Sequence, residues 1–483
     1  MHFSAVCRVL GILLMILSLS HVPPLLIDIY YDEGLWSVFL ASFSITLITG
    51  FCIWLPVRKV RADMRIRDGY LITALFWTVL GAFGAVPFIL SDVPAMSFTD
   101  SIFEAFSGLS TTGATVLTGL DNMPHSILYY RQQLQWLGGM GIVVLAVAIM
   151  PMLGVGGMQL YRTEIPGPLK DKKIAPRIAD TAKTLWVIYC GLTLICALAY
   201  WAAGMSLFDA IGHSFSTIAI GGFSTHDASI GFFNSPMIEL ICIFFMAISG
   251  INFALHFLAL RTYSLKHYWE DAECMAYLKI LGTLFLICAG MLMLYSTYES
   301  PIDSIRYALF QVVSVATTTG FGIADFSTWP TFVPYLLLFS VFIGACAGST
   351  GGGMKVMRVM LVFRQGQREI ARLLHPNGVF TIKLGKHKVS DRVMESIWGF
   401  CAIYMGAFFT LMLALLACGL DPITAFSTLA SCMNNLGPAF GDATANFSSL
   451  PDSAKYILSF AMVLGRLEVF SLLVLISPAF WRY

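Results

Sequence analysis

Charge is what this chain has least of. Asp, Glu, Lys and Arg make up 12% of its 483 residues against 57% hydrophobic types, and the mean hydropathy is +0.77. That balance excludes a soluble multidomain enzyme and places the chain among polytopic membrane proteins. The 11 cysteines supply no C-x-x-C pair and no Cys/His spacing of a zinc site, and the 9 histidines form no H-E-x-x-H or comparable set. Most cysteines sit in apolar segments and read as reduced packing residues. Without a nucleophile or metal constellation an enzyme is not expected, and nucleic acid is not expected as a partner. Arg8 precedes the first apolar stretch, but no small-residue cleavage site follows, so a retained first span is expected.

What the chain does have is repetition. Four gap-free segments of fourteen residues end on glycine: Asp100 to Gly113, Asp209 to Gly222, Tyr307 to Gly320 and Thr424 to Gly437. Their second position is small (Ser101, Ala210, Ala308, Ala425) and their third is large and apolar (Ile102, Ile211, Leu309, Phe426). The eighth is Ser in all four: Ser107, Ser216, Ser314 and Ser431. The glycines recur at intervals of roughly 100 residues, and such a period decides architecture before any motif does.

The expected fold is an all-α polytopic membrane protein of four pseudo-repeats, each a helix, a re-entrant half-helix with its glycine turn, and a second helix. Apolar stretches near 5–27 and 36–56 precede the first repeat and give two extra N-terminal transmembrane helices, within 1–68. Repeats 1 to 4 then occupy 69–183, 184–276, 277–392 and 393–483. Their spans are expected at 70–91 and 125–158, 184–204 and 235–260, 277–296 and 331–363, and 393–418 and 453–479, each near the roughly 20 residues a bilayer requires. That makes ten spans, and the half-helices, at about ten residues, are too short to cross. Of the 29 Lys and Arg residues only Arg131, Arg306, Lys455 and Arg466 fall outside the termini and the loops joining repeats. By the positive-inside rule both termini and those loops are cytoplasmic, and the glycine turns enter from outside. Loops on that outer side carry acids such as Asp92, Asp121, Asp227, Asp325 and Asp442, a sign that concentrates cations.

Four such turns around one axis define a chemistry. Each half-helix would aim its partially negative C-terminus at the membrane centre, and the following backbone carbonyls could replace the hydration shell of a monovalent cation. The candidate ion ligands are Thr111, Thr112 and Gly113; Ile220, Gly221 and Gly222; Thr318, Thr319 and Gly320; and Asn435, Leu436 and Gly437. Glycine suits the last place because a side chain would disturb dihedrals that turn carbonyls inward. No ring of Asp or Glu lies at the turns, which argues against a divalent-cation filter.

Below the third turn, Gly344, Gly348, Gly351, Gly352 and Gly353 interrupt a stretch, Pro334 to Arg364, that as continuous helix would be about 45 Å long. So many glycines make a poor helix, and a broken intramembrane gating loop is expected, including Ser349, Thr350 and Lys355. A Walker A reading fails because Met354 precedes Lys355 and no Ser or Thr follows it. Arg466 falls some fourteen residues into the last span. A membrane-interior arginine marks a functional site by default: a pore-facing charge, an anchor for the loop, or one half of a structural ion pair.

These motifs resemble the TrkH/TrkG potassium-uptake subunits of the Trk/Ktr/HKT superfamily over essentially the full length. The carrying residues are Ser110 to Thr115, Ala219 to Ser224, Ala316 to Phe321, Asn434 to Pro438, Gly138 to Ile142, Ala347 to Lys355 and Gly465 to Glu468. The resemblance implies potassium as the transported ion, no organic cofactor on this chain, and a multi-pass protein of the bacterial inner membrane. It also implies a homodimer with one pore per protomer and a cytosolic ring of the nucleotide-binding TrkA protein as gate controller. Gly113 matches the family's potassium-selective pattern, whereas Gly322 and Ala439 depart from it at positions next to the filter. The basic stretches Arg162 to Lys183 and Lys355 to Arg392 suit both membrane-lipid headgroups and such a regulator. The alternative function is a proton-coupled potassium symporter, for which Glu104 and His213 are the candidate titratable groups.

Overall fold

The computed structural model describes residues 2–60, 66–141, 178–385, 387–467, 472, 475 and 477–482. Among the described residues it is mostly helical, with one hairpin of two short strands, Lys383–Leu384 and His387–Lys388. Among the described residues six helices are long and apolar enough to cross a bilayer: Phe3–Tyr31, Trp36–Val57, Arg67–Leu90, Lys183–Ala202, Ala272–Leu294 and Val393–Ala417. The first two are the extra N-terminal helices, and the other four open the four repeats.

The second helix is interrupted in repeat 2, where a simple span was expected, and in repeat 3, where the glycines already predicted a break. In repeat 2 the stretch 235–260 is two helices, Pro236–Ser249 and Phe253–Thr262, meeting at 95°. Gly250 and Asn252 break it, the Asn252 side chain capping the second helix by accepting from the Ala254 amide at 2.8 Å. In repeat 3 the helix Phe332–Ser340 stops after 9 residues and resumes as Val356–Leu374, with the glycine-rich loop between. In repeat 4 the helix Asp452–Arg466 ends on Arg466, with Leu467 as its C-cap. In repeat 1 the helix runs His125–Gly139; the expected remainder to 158 lies outside the described residues, as do the basic residues Arg162 to Arg177.

The half-helices are Phe98–Leu109, Leu207–Ile218, Pro301–Ala316 and Pro422–Met433. Three have 12 residues and the third has 16, all longer than expected from sequence. Each starts on a polar cap that satisfies an orphan first-turn amide: Ser97 accepts from Asp100, Ser206 from Asp209, Ser300 from Ile302, and Asp421 from Ile423 and Thr424.

The N-terminal helices are fastened to repeat 1 by Glu33, whose carboxylate accepts the amides of His125 at 2.6 Å and Ser126 at 3.1 Å. It thereby caps the second helix of that repeat, where a negative group also favours the helix dipole. The apolar core divides into clusters on the two sides of the half-helices. One joins the N-terminal helices chiefly to repeats 1 and 2, a second packs repeat 4 against Phe103 and Ala114 of repeat 1, and a third is built mostly from repeat 3, with Ile251 and Leu436 added from repeats 2 and 4.

Candidate functional site

All four half-helices end in the same hydrogen-bond pattern. The carbonyl of the eighth-position serine accepts the amide five residues on: Ser107 from Thr112, Ser216 from Gly221, Ser314 from Thr319 and Ser431 from Leu436, at 2.8 to 2.9 Å. The next carbonyl, of Gly108, Thr217, Val315 or Cys432, accepts from Thr111, Ile220, Thr318 or Asn435. This is a Schellman closure, which requires a left-handed residue between the two bonds. Thr111 (φ 58°), Ile220 (φ 54°), Thr318 (φ 68°) and Asn435 (φ 56°) occupy that place. Three of the four are β-branched, for which left-handed backbone is a true outlier. Strain of this kind persists only where surrounding structure enforces it, and it clusters at functional sites.

Two residues later the glycines are left-handed again: Gly113 at 78°, Gly222 at 80°, Gly320 at 87° and Gly437 at 103°. What a side chain would meet there reveals the arrangement of the turns. A Cβ on Gly113 would collide with the Gly221 carbonyl, on Gly222 with the Thr319 carbonyl, and on Gly320 with the Leu436 carbonyl. On Gly437 it would come within 2.9 Å of the Thr112 carbonyl. Each glycine thus abuts the carbonyl preceding the glycine of the next turn, and the fourth returns to the first. The turns form a closed ring in chain order, with all twelve sequence-derived ligand candidates on its four arcs.

Side chains brace the ring from behind. Thr112 and Thr319 are matched by Ser110 and Thr317, with hydroxyl pairs at 2.7 Å in both turns. Asn435 donates to Thr112 Oγ1 at 2.9 Å and so ties the fourth turn to the first. Three residues that sequence reasoning passed over project from the second helix of repeat 1: Arg131 donates to the Ser224 carbonyl at 3.3 Å, Gln132 to that of Phe223 at 3.2 Å, and Gln135 to that of Gly221 at 2.6 Å. Their signal was the polar run Arg131 to Gln135 inside an otherwise membrane-length stretch.

Both titratable candidates for a carrier are committed to bonds. Glu104 is fully buried against Arg131, Nε to Oε1 2.7 Å, and also accepts from Thr115 and the Val116 amide at 3.0 Å. The His213 ring contacts the Asp209 carbonyl at 2.8 Å and Ser224 Oγ at 2.9 Å.

The glycine-rich loop lies directly against the ends of the half-helices. The Gly352 amide donates to Thr318 Oγ1 at 2.7 Å, and Thr350 Oγ1 to the Ile218 carbonyl at 2.9 Å. A Cβ on Gly352 would strike the Asn434 carbonyl, and one on Gly351 would lie 2.9 Å from the Thr317 carbonyl. The loop therefore touches the ends of half-helices 2, 3 and 4. Its own shape depends on left-handed Gly344, Gly348 and Gly353, on Ser349 donating to Cys346 at 2.6 Å, and on Lys355 Nζ donating to the Gly351 carbonyl. Glu273, buried in the first turn of the first helix of repeat 3, accepts the amides of Ala347 at 2.7 Å and Met357 at 3.1 Å. It ties the middle of the loop to the start of the helix that follows it, and nothing in the sequence pattern singled it out.

Arg466 donates to the Thr350 carbonyl at 2.9 Å and to the Gly138 carbonyl at 3.1 Å, with its guanidinium 5.4 Å from the Trp77 ring centre. These bonds tie Arg466 to the glycine-rich loop and to the end of the second helix of repeat 1; Glu468 lies outside the described residues.

On the opposite side of the ring, His226 links repeats 1 and 2, with Nδ1 2.5 Å from Asp121 and Nε2 3.5 Å from Asp209, its ring stacked on Phe232 at 3.5 Å. Burial opposes its charge, but the two carboxylates outweigh that and raise its pKa above the ordinary histidine value. Gly322, one of the departures from the family pattern, exchanges backbone and side-chain bonds with Gly231 and Ser229 of repeat 2. Both bonds use the Gly322 backbone, and a Cβ here would meet open space, so the contact between repeats does not itself require glycine.

The chain was compared with known proteins. A family model described as a cation transport protein, TrkH, matches residues 36–483. The Trk system potassium uptake protein TrkH of Halomonas elongata is 56% identical over 482 residues, and that of Escherichia coli K12 is 54% identical, each covering 100% of both chains. The crystal structure of the potassium transporter TrkH from Vibrio parahaemolyticus superposes with a TM-score of 0.92 at 50% identity, covering 100% of both chains. These relatives are transport proteins and not enzymes, in agreement with a sequence that offers no catalytic constellation. With six long apolar helices and a closed ring of four Schellman turns, the chain is a multi-pass membrane protein and belongs to the TrkH family of cation transport proteins.

Proposed function

We propose that this protein takes up potassium through a selectivity filter made by the four glycine turns, with the loop Gly344 to Gly353 as an intramembrane gate. The observation that carries the reading is the ring itself, in which each glycine leaves just enough room for its neighbour's carbonyl. Alternating left-handed residues turn successive carbonyls to one side of the chain, and a ring of such arcs offers the oxygen cage that replaces water around a dehydrated monovalent cation. The named activity of the full-length relatives, potassium uptake, supports the choice of ion.

The gate reading is supported by the loop's bonds to Thr318 and to the end of half-helix 2. In this reading the turn side faces outward, both termini are cytoplasmic, and the membrane is the bacterial inner membrane. The protein works as a homodimer, surrounded by lipid, under a TrkA-type nucleotide-binding ring that acts through the helix Val356–Leu374. Proton coupling draws no support from the bonds of Glu104 and His213.

The test is potassium and sodium flux through purified protein in liposomes, with and without a pH gradient. Gly320→Ser places a Cβ against the Leu436 carbonyl and, at φ +87°, in a backbone region that costs an L-residue about 1–2 kcal/mol. The potassium-to-sodium ratio should fall about tenfold, the factor set by ~1.4 kcal/mol. An unchanged ratio refutes the filter, and proton movement in fixed proportion to potassium refutes the channel.

A further inference from the structure

Three of the four turns present a side chain at the position before the filter glycine: Thr112, Thr319 and Leu436. The second presents Gly221. In turns 1 and 3 the threonine hydroxyl at this place is held by a second hydroxyl two residues earlier, at 2.7 Å. At Gly221 the corresponding space is filled from another repeat, because a Cβ there would meet Gln135 Cδ, Oε1 and Nε2, the last at 2.9 Å.

The Gln135 amide is bonded at both ends. Nε2 donates to the Gly221 carbonyl at 2.6 Å and Oε1 accepts from the Phe223 amide at 3.1 Å. The amide orientation follows from chemistry, since a carbonyl can only accept and a backbone N–H can only donate. The two bonds straddle Gly222, so Gln135 fixes the backbone on either side of the second filter glycine. The Gly221 carbonyl is also the oxygen that Gly113 abuts. It has two lone pairs, one for Gln135 and one for an ion.

We infer that Gln135 is a specificity-determining positioning residue, a side chain of repeat 1 that stands in for the missing side chain of turn 2 and sets the place of the Gly221 carbonyl. This rests on the filter reading above. Size discrimination between potassium and sodium depends on how far the oxygens can follow a smaller ion. A carbonyl tethered at 2.6 Å to a fully buried amide follows less.

The experiment is the potassium-to-sodium flux ratio of the full-length protein in liposomes, with Gly320→Ser alongside as the reference for the filter. Gln135→Leu keeps the bulk and removes both bonds. The ratio should fall about tenfold, equivalent to ~1.4 kcal/mol between the two ions, while the two backbone groups left unpaired lower the melting temperature without abolishing a cooperative transition. Gly221→Ser alone should also lower the ratio through its clash with Gln135. Gln135→Ala combined with Gly221→Ser should recover part of it, because the serine then supplies the side chain that turns 1 and 3 already have. If Gly320→Ser lowers the ratio while Gln135→Leu stays within about twofold of the parent, the inference fails and the filter stands. A double variant no better than the worse single variant also overturns it, even where Gln135→Leu misfolds. If Gly320→Ser changes nothing, both readings fall.

Discussion

Arg466→Ala isolates the hold on the glycine-rich loop proposed above as the gate. Among the described residues Arg466 donates to the Gly138 carbonyl, which secures the arginine, and to the Thr350 carbonyl, which secures the loop. A hydrogen bond from a charged donor contributes about 1.5–3 kcal/mol, so its loss should raise the open population by about ten- to a hundredfold. The loop keeps its bonds from Gly352 to Thr318, from Thr350 to Ile218, and to Glu273. Removal of Arg466 should therefore loosen the closed state without dismantling it. The assay is rubidium or potassium uptake into liposomes by purified protein with no cytosolic partner present. Arg466→Lys, which keeps the charge but spans one carbonyl at a time, should fall between. Parental flux from a folded Arg466→Ala protein would refute the anchoring role.

Two further outcomes follow from groups on the other side of the ring. Glu104→Gln leaves Arg131 buried without its charge partner, and breaking such a pair costs about 3–5 kcal/mol; thermal melting should show the loss, and Arg131→Met in the same protein should restore part of it. A double variant no more stable than Glu104→Gln would overturn the pairing argument. His226 has its pKa raised by Asp121 and Asp209, so its contribution to the joint between repeats 1 and 2 is fully present below the ordinary value of about 6.5. It is lost as pH rises through the raised folded-state value. Melting temperature should decline over that window in the parent and not in His226→Gln, and equal slopes would remove the assignment.

The repeat was legible because a turn that must close on itself leaves a fixed residue spacing, and Ser107, Ser216, Ser314 and Ser431 mark it. What they do was not legible, since the shared bonds use their backbone carbonyls. Of their hydroxyls, only that of Ser314 finds a partner, the Phe321 carbonyl at 2.6 Å. Hydropathy counted spans correctly where helices are unbroken and failed at Gly250 to Asn252, where the apolar run continues through a 95° bend. Arg131, Gln135 and Glu273 were missed for a common reason. Each acts on backbone more than seventy residues away in sequence, and a backbone partner carries no side-chain identity for a pattern to detect.

Four turns on a single polypeptide form the ring, so the quadrants of the proposed pore are free to specialise. In a ring of four identical chains, any change at one quadrant is imposed on all. Here one quadrant borrows an amide from its neighbour, another receives the glycine-rich loop on its threonine, and a third lends an asparagine across the seam. Ion coordination can keep near four-fold geometry while the scaffold around it loses that symmetry, so a gate can act from one side without a copy in every quadrant.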